Sequence, residues 1–477
     1  MNTIRSLFLG LATAGLVAAA PAHSTDLWDI YQLALKNDPT FAQAEANYQA
    51  QVENKAIARA GYLPSLGFNA SKSKSHSYGT SPGEIIDPVT GASLGFGQVY
   101  QSTSGDNTQY GLQLTQPIFN WAAWKALDQA DASVAQAEAN FTAARQDLIL
   151  RTATAYFDVL NARDTLAANQ ATKKALSKQL EQAKEKYQVG MSAITDVQEA
   201  QAAYDQAVAD EIGGQQQVIT AEEELRAIIG EPVGGLLEPV PDMPLRNPDP
   251  ATAKSWVDQA LKQNPSLLAA QAGADMAAAT VGIKRSAELP TLDLSASYGR
   301  SKQSGSFFGT QDTKQGQVML TLNFPIFSGG GVNAQITQAQ RQYDAALDQV
   351  KLVTRQTEQQ ARTAFLGVLT GISQVTALKQ SVQSNQTSLN ATETGMKVGT
   401  RTIVDVLNAR QNLLKAQTGF ANSRYNYLKS VLQLKQAAGI LTPDDLKQLN
   451  SLMQVAAPSP DTMPQSAPPT DNTGAQG

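Results

Sequence analysis

Leu292-Asp293-Leu294-Ser295-Ala296-Ser297-Tyr298, answered after a polar stretch by Gln317-Val318-Met319-Leu320-Thr321-Leu322-Asn323-Phe324, decides how this chain folds. Leu292, Leu294, Ala296 and Tyr298 alternate with Asp293, Ser295 and Ser297; Val318, Leu320, Leu322 and Phe324 alternate with Gln317, Thr321 and Asn323. A period of two sends one set of side chains to each face of a strand. The same pattern stands earlier, in Leu66, Phe68 and Ala70 and in Tyr110, Leu112, Leu114 and Ile118, around a Gly/Ser/Pro-rich stretch read as a loop from 79 to 105. Each pair reads as a hairpin with strands of ~10 to 12 residues, the length of a tilted membrane-spanning strand. A half-buried soluble sheet shows the same alternation. What tips the reading is that nothing else in the chain has the composition to cover these apolar faces. Four strands cannot close a barrel, which needs about eight, and lipid does not tolerate open edges. The strands must therefore come from several chains, and three copies would supply twelve.

Other landmarks recur in the same order. Gly61-Tyr62-Leu63-Pro64-Ser65-Leu66 returns as Ala287-Glu288-Leu289-Pro290-Thr291-Leu292, and Pro117-Ile118-Phe119 as Pro325-Ile326-Phe327. Val189-Gly190 with Ile194-Thr195-Asp196-Val197 returns as Val398-Gly399 with Ile403-Val404-Asp405-Val406. Collinear recurrence is the mark of internal duplication. The expected organisation is a signal peptide at 1–22, a first repeat at 23–238 with its hairpin at 62–118, and a Pro-rich linker at 239–250. A second repeat follows at 251–455 with its hairpin at 290–327, then a disordered Pro/Ser/Thr/Gln-rich tail at 456–477.

In the signal, Arg5 supplies the positive region, Leu7 to Ala19 the apolar core and Ala20-Pro21-Ala22 the cleavage site. That core is shorter than the ~20 residues of a spanning helix, and the mature chain is expected outside the cytoplasm. The 477 residues hold no cysteine and two histidines, with a net charge of −5. Thiol chemistry, disulfides and cysteine zinc sites are excluded, and the acidic balance argues against nucleic acid.

Between the hairpins and the Val-Gly landmarks the sequence is almost free of helix breakers. Trp121 to Val189 would extend ~100 Å as one helix at 1.5 Å per residue. Val134, Phe141, Leu148 and Ala155 recur at coiled-coil spacing, as do Ile336, Tyr343 and Val350. Abundant small flanking residues suit a sheet of helices, although an ordinary coiled coil has the same period. Val-Gly then marks a reversal, since glycine tolerates the left-handed conformation of a C-terminal cap, and return helices run from Ile194 to Ile229 and from Ile403 to Gly439.

Leu112-Gln113-Leu114-Thr115-Gln116, Thr152-Ala153-Thr154-Ala155-Tyr156-Phe157, Ala193-Ile194-Thr195-Asp196-Val197-Gln198, the run from Val398 to Leu407 and Ala421-Asn422-Ser423-Arg424-Tyr425-Asn426-Tyr427-Leu428 resemble the TolC family of outer-membrane channel proteins. The resemblance covers nearly the whole mature chain. It implies a mixed α and β membrane protein: a homotrimeric twelve-stranded outer-membrane β-barrel, four strands per chain, continued by a twelve-helix periplasmic α-barrel. Segments near 79–107 and 302–314 would be outward loops. It also implies partners: a periplasmic adaptor, an inner-membrane efflux pump or ABC exporter, and outer-membrane lipid, for multidrug efflux or type I protein secretion. The family's periplasmic gate falls on Gln179, Thr195, Asp196, Glu393 and Arg401, where charge-assisted links of about 1 kcal/mol or less each would hold the helices closed. Its pore constriction falls on Asp405 and Asn408. Met396 replaces a tyrosine of the family pattern, and Asn408 a second aspartate.

No catalytic constellation is present. Ser328-Gly329-Gly330-Gly331 lacks the Gly-Lys-Ser/Thr ending of a phosphate loop, and His23 and His76 have no companions. No enzyme activity, cofactor or bound metal is expected, apart from cation block at Asp405. A periplasmic coiled-coil adaptor or structural protein without a pore is the alternative, disfavoured by the four amphipathic strands. With Asn408 neutral, divalent block in bilayer recordings is expected to be weak and to strengthen in Asn408→Asp; equal block in both would remove the constriction assignment.

Overall fold

The computed structural model describes residues 25–240, 243–306 and 309–454. The expected signal peptide and tail lie outside these residues. In chain order the elements are α1 (Leu27–Asn37), α2 (Pro39–Ala60), β1 (Ser65–Ile86), β2 (Ser93–Phe119), α3 (Trp121–Gln188), α4 (Ile194–Ile229), β3 (Glu238–Pro239), α5 (Ala253–Gln263) and α6 (Pro265–Arg285). Then come β4 (Thr291–Ser306), β5 (Gly309–Asn323), α7 (Gly331–Lys397), α8 (Ile403–Ala437), α9 (Pro443–Asn450) and β6 (Met453–Gln454). The chain divides into two compact units, one within Met1–Ala42, Ala144–Lys262 and Gln359–Gly477, the other Gln43–Ala143 and Gln263–Glu358. No described helix is long and apolar enough to cross a membrane.

The second unit holds one antiparallel sheet in the order β1-β2-β4-β5. The alternating residues pair as their pattern requires: Leu66 opposes Leu114, Leu114 opposes Ala296, and Ala296 opposes Val318. Apolar residues thus share one face, and Ser, Gln and Asn the other. The apolar face is bare, with Leu66 69% exposed, Phe68 66%, Val318 75% and Leu322 67%. Helices α2 and α6 flank the start of α3 through small contacts. Tyr48 stacks on Phe141 with ring centroids 5.2 Å apart, Lys55 meets Asp131 at 2.7 Å, and the Gln129 amide donates to Thr280 Oγ1 at 2.9 Å.

The expected loops are corrected here. The stretch from 79 to 107 is strand on both sides of a short turn, with Tyr78 opposite Ser102 and Pro82 opposite Gln98. Residues 302–306 and 309–314 likewise belong to β4 and β5. The strands span 22, 27, 16 and 15 residues rather than ten to twelve. Backbone pairing runs the length of these extensions, with a few side-chain ties such as Arg300–Asp312, and the Gly, Ser and Thr that fill most of them mask the alternation of Leu94, Phe96 and Tyr100. Pro82 is tolerated because β1 is an edge strand with no neighbour on its far side. At the tip the Asp87 carboxylate accepts from the backbone N–H groups of Val89 and Thr90 at 2.9 and 3.3 Å, an Asx turn.

The first unit carries the core. Tyr156, Phe157, Leu160, Leu225, Ile229, Tyr425 and Leu428 are each at most 2% exposed. Two buried tyrosines bring polar tips inward and satisfy them, Tyr156 donating to the Leu237 carbonyl and Tyr425 to Asp164, both at 2.7 Å. The break at Asn37-Asp38-Pro39 is a built joint. Asp38 caps α2 by accepting from Phe41 N at 2.6 Å, and Arg151 reaches the same carboxylate at 3.1 Å. The Pro-rich linker is tied down as well, since Tyr427 Oη accepts from Arg246 N at 2.9 Å and donates to its carbonyl at 3.1 Å. β3 pairs with β6.

Burial raises the Asp164 carboxyl against the opposing hydrogen bond from Tyr425. Burial and then the charge of Asp164 raise Glu238. A carboxyl whose folded pKa is raised binds its proton more tightly in the fold, so its contribution to stability falls as pH climbs from near ~4 through the folded value. Asp164→Asn keeps an acceptor for Tyr425 and removes that slope. Its apparent melting temperature is expected to gain on the wild type at pH 7 relative to pH 4; a parallel pair of melting curves across pH would refute this.

Candidate functional site

All seven residues singled out at the helical end lie in the first unit, on two helical hairpins. The α3/α4 hairpin turns at Gly190 and the α7/α8 hairpin at Gly399, with φ of 77° and 79°. Each turn closes the same way. Met191 N donates to Lys186 O at 2.8 Å and Thr400 N to Gly395 O at 2.9 Å, the six-to-one bond of a glycine-capped helix end. Nothing stands within 4 Å of a Cβ added at either glycine, so the requirement is purely conformational, worth about 1–2 kcal/mol.

Inside each hairpin the helices are zipped by small apolar clusters. Leu180, Ala183, Val197 and Ala200 form one, with Tyr204 and Ile403 against it. Leu389, Val406, Ala409 and Leu413 form the other, with Val382 and Met396 packed on it. Met396 therefore fills an apolar seam. Ion pairs brace the outer turns, Arg163 to Glu222 and Lys173 to Glu211, each at 2.6 Å.

Glu393 is paired, with Arg410 of the facing helix at 2.5 Å. Arg410 was not among the candidates: Glu393 lies six residues before Gly399 and Arg410 eleven after it, so their meeting is set by how the two helices align. Arg401 is exposed and forms no ion pair among the described residues; its charge acts on Asp405. Asp196 accepts from Ser192 Oγ at 2.5 Å, a contact local to its own turn, and Thr195 beside it is exposed. Gln179 is buried, its amide nitrogen without a hydrogen-bond partner, as is Arg410 Nε.

Asp405 is committed locally. It is the third residue of α8, and its carboxylate accepts from Thr402 N at 2.9 Å and Thr402 Oγ1 at 3.0 Å, while Asp405 N donates to Thr402 Oγ1 at 3.2 Å. This capping box holds the carboxyl below its usual range, chiefly through the Thr402 N–H, then the hydroxyl, with Arg401 assisting. The motif was readable as Thr402-x-x-Asp405. Asn408 is exposed and lines a groove of about 370 Å³ shared with Leu176, Glu199, Gln206 and Arg410. Among the described residues no His/Asp/Glu group could hold a metal ion.

One chain thus carries a sheet with a bare apolar face and two very long helical hairpins. Residues 30–231 and 256–440 match the family described as outer membrane efflux protein. This chain belongs to that family. It is 37% identical to outer membrane protein TolC of Escherichia coli (strain K12) over 466 residues, 95% of this chain and 90% of the relative. It is 32% identical to outer membrane protein TolC of Vibrio cholerae, over 96% of this chain and 100% of the relative. It is also 29% identical to the alkaline protease secretion protein AprF of Pseudomonas aeruginosa, over 93% of this chain and 91% of the relative. The Campylobacter jejuni CmeC outer membrane channel shares the fold, with a TM-score of 0.72 at 21% identity, over 90% of each chain. The efflux-family protein is a constituent of the outer membrane.

Gly399→Ala is expected to lower stability by about 1–2 kcal/mol, a fall of a few degrees in melting temperature. Ala substituted for exposed Thr400 should cost much less. Equal losses in the two variants would deny the left-handed cap its role.

Proposed function

We infer that this chain is one protomer of an outer-membrane channel through which substrates handed over by inner-membrane pumps leave the cell, for drug efflux or protein secretion. The observation that carries the reading is the four-stranded sheet with exposed apolar side chains and free edges at β1 and β5. In lipid those edges must be paired. β1 and β5 point in opposite directions, so β5 of one copy can pair with β1 of the next and keep the barrel antiparallel throughout. Three copies close a twelve-stranded barrel, the homotrimer that the family resemblance implies. The paired helical hairpins, two per chain, would assemble the twelve-helix periplasmic conduit. The collinear landmarks support an origin by internal duplication, and the opening stretch is proposed as an export signal.

At the closed end the proposed gate links are Gln179, Thr195, Asp196, Glu393 and Arg401, to which Arg410 is added, with Asp405 and Asn408 at the constriction. Within one chain the firm tie is Arg410–Glu393. Arg401 and Asp196 are left to meet across the boundary between copies. A half-exposed ion pair contributes about 1 kcal/mol, and each unpartnered buried donor costs about 1–3 kcal/mol. A closed state so balanced is one that an adaptor docking on the hairpins can open. The relatives' names divide between efflux and protease secretion, and a passive conduit suits both.

Purified protein in a planar bilayer should give small steady conductance steps, larger in Arg410→Ser and in Arg401→Ser. Silence from folded, inserted protein would sink the channel reading. Steps unchanged by either substitution would discard the gate. Widening by Arg401→Ser alone would place the closing links between copies.

A further inference from the structure

We propose that the sheet carries a binding site for the phosphate groups of outer-leaflet glycolipid, built from Lys72, Lys74, Lys302 and Lys314 beside Arg300. This rests on the membrane-barrel reading given above. Every lysine and arginine of the four described strands is one of these five. The register puts all of them on the face that bears the apolar belt. Ala70, Tyr110, Arg300 and Lys314 lie abreast across β1, β2, β4 and β5. The next row outward is Lys72, Thr108, Lys302 and Asp312, and Lys74 faces Asp106 in the row beyond. Just inward stand Phe68, Leu112 and Tyr298.

The opposite face at the same level runs Asn69, Gly111, Gly299 and Gln315, then Ser71, Gln109, Ser301 and Thr313, without a charge. A solvating role would scatter cations over both faces of strands that leave the membrane. Here they are confined to the side that continues the lipid-contacting surface.

The level is right for headgroups. Lys314 lies ten residues along β5 from Phe324, just past the strand end, which at ~3.3 Å per residue and ~40° of tilt is a rise of ~25 Å, the height of an outer-membrane apolar band. Tyr110 and Tyr298 mark the boundary as interfacial aromatics do. Neighbouring strands ~4.8 Å apart and same-face rows ~6.8 Å apart bring the cations within reach of one doubly phosphorylated headgroup.

The charges are available. Arg300 and Asp312 neutralise each other through two hydrogen bonds, and Arg300 also donates to Tyr110 Oη at 3.5 Å. Lys72, Lys74, Lys302 and Lys314 are exposed and make no ion pair among the described residues; besides Asp312, Asp106 alone among the strands' carboxylates shares these rows, Glu84 and Asp293 lying at other levels. Paired to each other, Arg300 and Asp312 stiffen the base of the patch while the lysines reach outward. The acyl chains of the same lipid would lie on Phe68, Leu112 and Tyr298, so that one molecule meets both parts of the surface.

The full-length protein in detergent micelles is titrated with diphosphoryl lipid A, with its dephosphorylated form and with inorganic phosphate alone, retained lipid being counted by native mass spectrometry. The wild type should hold diphosphoryl lipid A at least about tenfold more tightly than the dephosphorylated form, and lose it as salt is raised. Replacing the four lysines together by Gln should bring a comparable loss, and replacing them by Arg should retain binding. Equal affinity for the two lipid forms, or undiminished binding by a folded Gln variant, overturns the proposal. So does binding of inorganic phosphate as tight as that of the lipid. The two lipid forms on wild type carry the test even if the Gln variant does not fold. Wild-type conductance in a phosphatidylcholine bilayer, measured alongside, keeps a failure of this site separate from a failure of the channel reading.

Discussion

Backbone hydrogen bonds at the two free edges of a four-stranded sheet govern everything else here. An unpaired N–H or C=O costs several kcal/mol in hydrocarbon, and β1 and β5 each present a full row of them. No other described strand is long enough to serve, because β3 and β6 have two residues each and are spent on one another. The deficit cannot be met within the chain. On the reading proposed above, neighbouring copies of the chain supply the missing pairing in lipid. A soluble sheet would have been capped by a helix packed on its bare face.

The long helices solve a different problem with small residues. Ala183, Ala200 and Ala409 sit in the hairpin clusters, where each buries little surface but lets two backbones approach closely. Affinity between such helices is spread thinly along their length and supplemented by a few polar ties. Hairpins of this kind hold together while leaving individual turns cheap to separate, which a reversible closure needs. The large aromatic residues Tyr156, Phe157 and Tyr425 are concentrated elsewhere, in the core that fixes α3, α8 and the linker.

Much of this was legible in the sequence. Period-two alternation located the paired apolar residues, breaker-free runs located α3 and α7, and Val189-Gly190 and Val398-Gly399 located both reversals. The expectation of loops at 79–107 and 302–314 failed because amphipathicity reports on a membrane or a core. From Tyr78 to Ser102 the alternating Leu94, Phe96 and Tyr100 are interrupted by Gly, Ser, Pro and Gln, so the composition of a loop hides the pattern of a strand. Local chemistry around Asp405 was readable in principle, since Thr402 three residues ahead is a capping signature. The Glu393–Arg410 pair depends on how two helices align after a turn, and the burial of Gln179 is likewise a matter of packing. Such facts come from packing and have no one-dimensional signal.

Asp26 accepts a hydrogen bond from Asn450 at 2.7 Å, Leu27 N donates to the same Asn450 side chain at 3.2 Å, and Thr25 pairs with Leu236. The first helix is thus finished by residues more than four hundred positions away. Asp26 already caps α1 through Asp29 N, and α1 meets α4, so the contact with Asn450 adds a long-range closure to a helix that local bonds begin. A chain joined this way brings its two ends to one place, so that the helix that opens it and the helix that closes it share one asparagine.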